Sequence, residues 1–271
     1  MPIKKLPRIL APEQLADRLN EPELLIVDLC QDSVYAGLHV PGAVHVNPVE
    51  LVSGVPPATG KLPDPEKLQA LASRLGLSRD RFIVAYDDEG GGWAGRFLWT
   101  LDVIGHHRHA YLDGGLHAWR NEGYPLQTEP NMPEPVNVEV TINDSVLVDL
   151  EEVWQSLDKE EWVIWDARSP EEYHGLRRGA LRNGHIPGAV NLDWLELIDR
   201  QNNLRLRPLD SIRKRLATLG IDGHRKVITH CQTHHRSGLT YLVGRMLGLD
   251  IKAYDGSWSE WGNHPDTPVE T

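Results

Sequence analysis

The stretch LLIVDLCQDSVYAGLHVPGAVHVNP (24–48) returns later in the chain as WVIWDARSPEEYHGLRRGALRNGHIPGAVNL (162–192). Each copy opens with an apolar run that ends in an aspartate, Asp28 or Asp166. A tyrosine follows, Tyr35 or Tyr173, and then the pattern H-[VI]-P-G-A-V. The second copy inserts about eight residues, HGLRRGAL and neighbours, before His185, as tandem copies do where a loop has grown.

The match runs on downstream. LASRLGLSRDRFIVAYDDEG (71–90) lies over LATLGIDGHRKVITHCQTHH, which begins at Leu216. Gly76 and Gly220 are 144 residues apart, as are Asp87 and Cys231. YLDGGLHAW (111–119) then parallels YDGSWSEW (254–261). A shared order over most of both halves marks two homologous domains. The reading sets the first at 1–125 and the second at 144–271. The linker, 126–143, is rich in proline and polar residues, a composition that favours extended backbone.

Within each half, short β-branched runs alternate with helical patterns. IVAY (83–86) and KVITH (226–230) have strand length and charged flanks. EKLQALASRLGL (66–77) and LDSIRKRLATLG (209–220) carry apolar residues at helical spacing and end near glycine. This alternation predicts an α/β fold, with a mostly parallel sheet in each half flanked by helices on both faces. Sites in such sheets form at the carboxyl ends of strands.

Whole-chain figures narrow the function. The chain has 271 residues, 40% of them hydrophobic and 25% charged, enough for two ordinary cores. No run approaches the length of a membrane span, and MPIKKLPRIL lacks the apolar core of a signal peptide. The expectation is a cytoplasmic protein. Two cysteines, Cys30 and Cys231, exclude a disulfide framework and leave a structural zinc site without thiolates. A net charge of −11 argues against nucleic acid or an anionic membrane as the main partner. An acidic protein that handles an anion must then concentrate positive potential locally.

Cys231 stands where such a concentration forms. It follows the strand KVITH and opens the loop CQTHHR, after which SGLTYLVGRMLG reads as an amphipathic helix. A tight turn from a strand end into a helix N-terminus points backbone N–H groups inward, and the helix dipole adds to their field. A thiol there is biased toward the thiolate, which is the nucleophile. Arg236 adds permanent charge, and His234 and His235 add protonatable donors. The first copy has Asp87 at the cysteine position, within DDEGGGWAGR, so it carries the scaffold without a nucleophile.

These residues resemble the rhodanese superfamily in its tandem form, with an inactive first and an active second domain. HVPGAVHVNP and GHIPGAVNLDW are similar to the family's first signature, YDGSWSEWG to its C-terminal one, and CQTHHR to its six-residue active-site loop. The resemblance implies sulfur transfer through a Cys231 persulfide with ping-pong kinetics and no cofactor. Thiosulfate is the first-choice donor, and cyanide or a thiol is the acceptor. It implies substrate contacts from Gln232, Thr233, His234, His235, Arg236 and Arg168. The basic pair of thiosulfate-using loops is replaced by Gln232 and Thr233, and a further family arginine falls on Glu172. A carrier that hands its persulfide to a protein partner, and a mercaptopyruvate sulfurtransferase, therefore stay open. Related phosphatases use a loop one residue longer, so the shorter ring here favours sulfur over phosphorus. A monomer is expected, because the two joined copies can supply the cleft that single domains obtain by association.

Other candidates read as structure. Cys30 ends an apolar run and reads as packing. His39 and His185 belong to the turn that both copies share. His106, His107 and His109 read as a solvated surface turn. Trp194 and Trp258 follow motifs near the expected cleft and are candidates to line it.

Overall fold

The computed structural model describes residues 6–271; the first five residues of the N-terminal stretch read above fall outside them. The chain divides into two compact units. Of the described residues, one comprises 6–51, 63–143 and 199–206; the other comprises 52–62, 144–198 and 207–271. Each unit therefore contains a short segment from the opposite half of the sequence.

The first unit holds β1 (Ile9–Leu10), β2 (Leu24–Asp28), β3 (Val44–His45), β4 (Phe82–Tyr86) and β5 (His109–Leu112) in the order β1-β5-β4-β2-β3. Every pair is parallel, with Leu24 to Asp28 of β2 in register with Phe82 to Tyr86 of β4. Its helices are α1 (Pro12–Ala16), α2 (Asp32–Gly37), α3 (Pro65–Arg74), α4 (Gly92–Val103) and α5 (Gly115–Asn121). The second unit repeats the plan. Its strands are β6 (Leu147–Val148), β7 (Trp162–Asp166), β8 (Val190–Asn191), β11 (Lys226–His230) and β12 (Ile251–Tyr254), ordered β6-β12-β11-β7-β8 and again all parallel. Between them, β9 (Ile198–Asp199) and β10 (Arg205–Leu206) form a two-stranded ribbon. The helices are α6 (Leu150–Ser156), α7 (Pro170–Tyr173), α8 (Leu209–Ala217), α9 (Arg236–Met246) and α10 (Ser257–Trp261), with a 3₁₀ turn at Trp194–Leu197. The α/β fold with mainly parallel, helix-flanked sheets is thus as the alternation predicted.

Sheets of this kind read as continuous apolar runs because both faces are covered. β2 and β4 are buried at all five positions. Leu10, Ile26, Val84, Ala110 and Trp119 centre one core, and Ile164, Ile186, Ile228, Tyr254 and Trp261 centre the other.

The shared turn has the same internal bonding in both copies. The His39 ring stacks on Tyr35 with centroids 4.0 Å apart, and the His185 ring stacks on Tyr173 at 3.7 Å. Each histidine bonds the carbonyl of its tyrosine through Nδ1, at 2.7 and 2.9 Å. The tyrosine hydroxyls donate to Ala43 and Ala189. Both histidines are buried, so they serve the fold. The last motif closes each unit similarly: Trp119 donates to the Pro125 carbonyl and Trp261 to that of Pro268.

One expectation is overturned in part. His106 and His109 are buried, and of the three only His107 is exposed. His106 is 9% and His109 3% exposed, and His107 and His109 both bond Oδ1 of buried Asp102, at 2.8 and 3.0 Å. Burial by itself would raise the Asp102 pKa, but its bonds to His109 and His107 outweigh this and hold the carboxyl far below its usual range. Asp102 belongs to α4 and His109 to β5, so a polar pairing between elements looked in sequence like exposed polarity. Among the described residues, no helix is long and apolar enough to cross a membrane.

Candidate active site

The loop of Cys231 runs from the end of β11 into α9, as the sheet rule expects. Its shape is best read from the first unit, where Asp87 stands at the same point. There Asp87 Oδ1 accepts the backbone N–H groups of Glu89, Gly90 and Gly91 at 3.1, 3.2 and 2.8 Å, and Oδ2 accepts that of Ala94 at 2.9 Å. Four amides converge on one carboxylate, and the side chain occupies the ring it would otherwise offer to a ligand. Burial, and then the charge of Glu89, push Asp87 up to about 6 against the pull of these amides. The loop is an anion nest filled by its own chain.

In the second unit the sulfur of Cys231 takes that place and is itself fully buried. Burial would raise its pKa. The guanidinium of Arg236, the hydroxyl and amide of Ser237, and the charge of His235 outweigh the burial, and the thiol lies below its ordinary value. The thiolate is thus favoured at the floor of the loop. Cys30 has the opposite surroundings. Burial and the charges of Asp28, Asp88 and Asp87 push its thiol far up, and it packs inertly in the first core.

Two non-glycine residues with positive φ hold the loop. His234 has φ 56°, where the first copy has Gly90. It is fully buried, and its Nδ1 lies 2.7 Å from Ser237 Oγ. Ser257 has φ 52°, the value found at Gly115 in the first copy. Its hydroxyl donates to the Tyr254 carbonyl and accepts the Cys231 N–H at 3.3 Å. Conformations that cost other residues about 1–3 kcal/mol are here fastened by side-chain bonds. The Trp258 amide then donates to the Cys231 carbonyl at 3.0 Å, as the Leu116 amide does to Asp87 at the same distance.

Arg236 is clamped. Its Nη1 and Nη2 donate to the two carboxylate oxygens of Glu172 at 2.6 and 2.9 Å. Ser169 and Glu172 cap each other at the start of α7, which fixes the carboxylate before it meets the arginine. Burial raises the Glu172 pKa, but the bonds and charge of Arg236 outweigh it and hold the carboxyl below its usual range.

The remaining expected site residues lie as follows. Gln232 donates to the Gly179 carbonyl at 2.7 Å. The backbone of Thr233 packs so closely on Gly60 that there is no room there for a Cβ. His235 is half-buried beside Trp194, with ring centroids 5.9 Å apart. These residues gather around Cys231. Arg168 is held elsewhere in the fold. It is buried, its Nε and Nη2 bind Asp166 at 2.6 to 3.0 Å, Nη2 also donates to the Gly184 carbonyl, and the guanidinium lies 4.4 Å from the Trp258 ring. Trp258 is therefore buried under Arg168. Among the described residues, no group of three or more histidines, cysteines or acids is arranged to hold a metal ion.

Sequence reading missed three contributors: Ser237, Ser257 and the partnership of Glu172 with Arg236. The signal for Ser257 was available, since the matching position in the first copy is glycine. Glu172 was visible only as the place of a missing arginine.

The family model described as "Rhodanese-like domain" matches the chain twice, at 11–122 and 149–264. The chain belongs to the rhodanese-like family, in its tandem form. It is 48% identical over 266 residues to the thiosulfate sulfurtransferase of Azotobacter vinelandii, covering 98% of this chain and 97% of that protein. The thiosulfate sulfurtransferase of Pseudomonas aeruginosa matches with the same identity and coverage. A sulfur carrier protein of Thermus thermophilus is 29% identical over 276 residues, 96% of this chain and 95% of that one. Among solved structures, the anaerobic ergothioneine biosynthesis enzyme of Chlorobium limicola superposes with a TM-score of 0.87 at 21% identity. It covers 97% of this chain and 70% of the other, and the likeness concerns the fold.

Proposed function

We propose that this chain is a thiosulfate sulfurtransferase whose second unit carries the sulfur on Cys231. One observation carries the reading: a thiol held below its ordinary pKa by Arg236 and Ser237, in the loop whose sister copy encloses a carboxylate in four amides. The 48% identity to two thiosulfate sulfurtransferases over nearly the whole chain supports the substrate.

The steps follow from the charges. The Cys231 thiolate attacks the outer sulfur of thiosulfate. A new S–S bond forms, the bond to the sulfonate sulfur breaks, and sulfite leaves with the electron pair. The loop amides and Arg236 carry the negative charge that remains on the outer sulfur of the persulfide. Cyanide or a thiolate then attacks that outer sulfur and releases Cys231 as thiolate, giving ping-pong kinetics. Gln232, Thr233, His235 and Arg236 surround the donor, while buried His234 sets the loop from beneath through Ser237. Arg168, engaged by Asp166 and the Gly184 carbonyl, takes no part in these steps and holds the fold against Trp258. The setting we assign is the cytoplasm, where thiol acceptors abound, and the working form is a monomer. A carrier role is the second reading, favoured by the likeness to the Thermus thermophilus protein.

The test is direct. Thiosulfate should add about 32 Da, one sulfur atom, to the intact protein, and cyanide should remove it. Cys231→Ala should abolish both events and all turnover. Turnover retained in that variant would end the proposal.

A further inference from the structure

The insertion that distinguishes the second copy, about eight residues within 174–184, belongs to none of the catalytic steps above. It is nonetheless built with care. Its base is fastened. The Leu181 amide donates to Asn263 Oδ1 at 2.9 Å, and Arg182 donates to the carbonyls of Trp261, His264 and Thr267. Ala180 packs on the second core, and the Leu176 amide returns to the Glu171 carbonyl at 2.8 Å. From this base, four side chains project. Leu176 is 80% and Leu181 72% exposed, and Arg177 and Arg178 are exposed with them.

Large apolar side chains so exposed on a rigid loop have no reason in the fold of this unit. Paired with two arginines, they have the composition of a binding patch, in which apolar anchors and arginine dominate. The patch also touches the chemistry. Gln232, next to Cys231, donates to the Gly179 carbonyl in the middle of the insertion. A Cβ at Gly179 would meet the amide end of the Gln232 side chain at 2.7 Å. The first copy, which has no sulfur to pass on, lacks the insertion.

We propose that Leu176, Arg177, Arg178 and Leu181 form a docking platform for an acidic protein thiol that takes the persulfide sulfur from Cys231. The inference rests on the sulfur-transfer reading and names its macromolecular acceptor. Charge selects the partner: two adjacent arginines on a chain of net charge −11 make a local positive spot, which an acidic surface complements. A loop fastened in advance binds with little ordering cost. The step itself balances: the partner thiolate attacks the outer sulfur, a new S–S bond forms on the partner, and Cys231 leaves as thiolate.

The experiment isolates that step. Protein loaded with thiosulfate and freed of excess donor is mixed with one of two acceptors, cyanide or reduced thioredoxin, the latter as an acidic protein with a nucleophilic thiol. Arg177→Glu/Arg178→Glu and Leu176→Ser/Leu181→Ser are compared with the unaltered protein. Transfer to thioredoxin should slow about tenfold or more in both variants, and its salt dependence should weaken in the first. Loading by thiosulfate and transfer to cyanide should change less than about twofold. Equal rates to thioredoxin in all three proteins would overturn the proposal. So would binding of the unaltered protein, but not the variants, to phosphatidylserine vesicles, since the patch would then serve a lipid surface. Failure of the unaltered protein to load any sulfur would instead strike the underlying sulfurtransferase reading.

Discussion

Replacing Ser237 by alanine should raise the pKa of Cys231 and leave the fold intact. The hydroxyl is one of two hydrogen bonds that Ser237 gives the sulfur, and it is set by His234 Nδ1 at 2.7 Å. Hydrogen bonds to a charged group contribute about 1.5–3 kcal/mol when buried. At about 1.4 kcal/mol per pKa unit, losing one should move the thiol up by about one to two units. The Ser237 amide and Arg236 remain, so the thiol does not revert fully. Alanine is a good helix former at this position of α9, which keeps the loop's exit in place. The assay is the rate of alkylation by iodoacetamide against pH, followed by intact mass. Cys30 stays silent there, because its own thiol is pushed far up. Sulfur loading from thiosulfate should shift along the same axis, falling about tenfold in mildly acidic buffer and recovering in alkaline buffer. Ser237→Thr should restore the original midpoint. A Ser237→Ala midpoint within about 0.3 units of the parent would refute the claim that this hydroxyl holds the thiolate.

Other substitutions test the scaffold. Asp87→Ala leaves the amides of Glu89, Gly90, Gly91 and Ala94 without their acceptor and should cost about 2–4 kcal/mol in urea denaturation, partly regained with added sulfate. Glu172 has a lowered folded pKa, so its contribution is complete above its ordinary value of 4.5 and fades as pH falls through the lower folded value. Thermal scans should accordingly show Glu172→Gln flattening the acid limb that the parent displays. Gly60→Ala places a methyl group against the Thr233 carbonyl and should cut sulfur transfer by about ten- to a hundredfold while circular dichroism stays unchanged.

Much of this was legible beforehand because the chain carries its own comparison. Two copies of one pattern, offset by 144 residues around the reactive loop, exposed which features the fold needs and which only the second copy has. The strands announced themselves as apolar runs, and Cys231 as a polar-flanked cysteine at a strand end. Contacts between elements distant in sequence were hidden. The clamp of Glu172 on Arg236 joins α7 to α9, and nothing local at either position signals it. His109 looked wet because its partner, Asp102, sits on a helix whose buried face the local pattern does not reveal. The segments 52–62 and 199–206 are short and rich in turn residues, and carry no periodicity that could assign them to a unit.

Those two exchanged segments carry a lesson about ancestry. Gly60 lies against the backbone of Thr233, Lys61 pairs with Glu260 at 3.1 Å, and the Leu62 amide donates to Asp255 at 2.8 Å. In return, Arg205 pairs with Glu122 at 2.5 Å, and the Leu206 amide donates to Asp113. A duplicated gene whose products trade straps in this way can no longer be separated by cutting at its seam. The catalytic half, expressed alone, would lack the piece that backs its own reactive loop. The first copy, with no nucleophile in its loop, is therefore not dispensable: its residues 52–62 are part of the second unit.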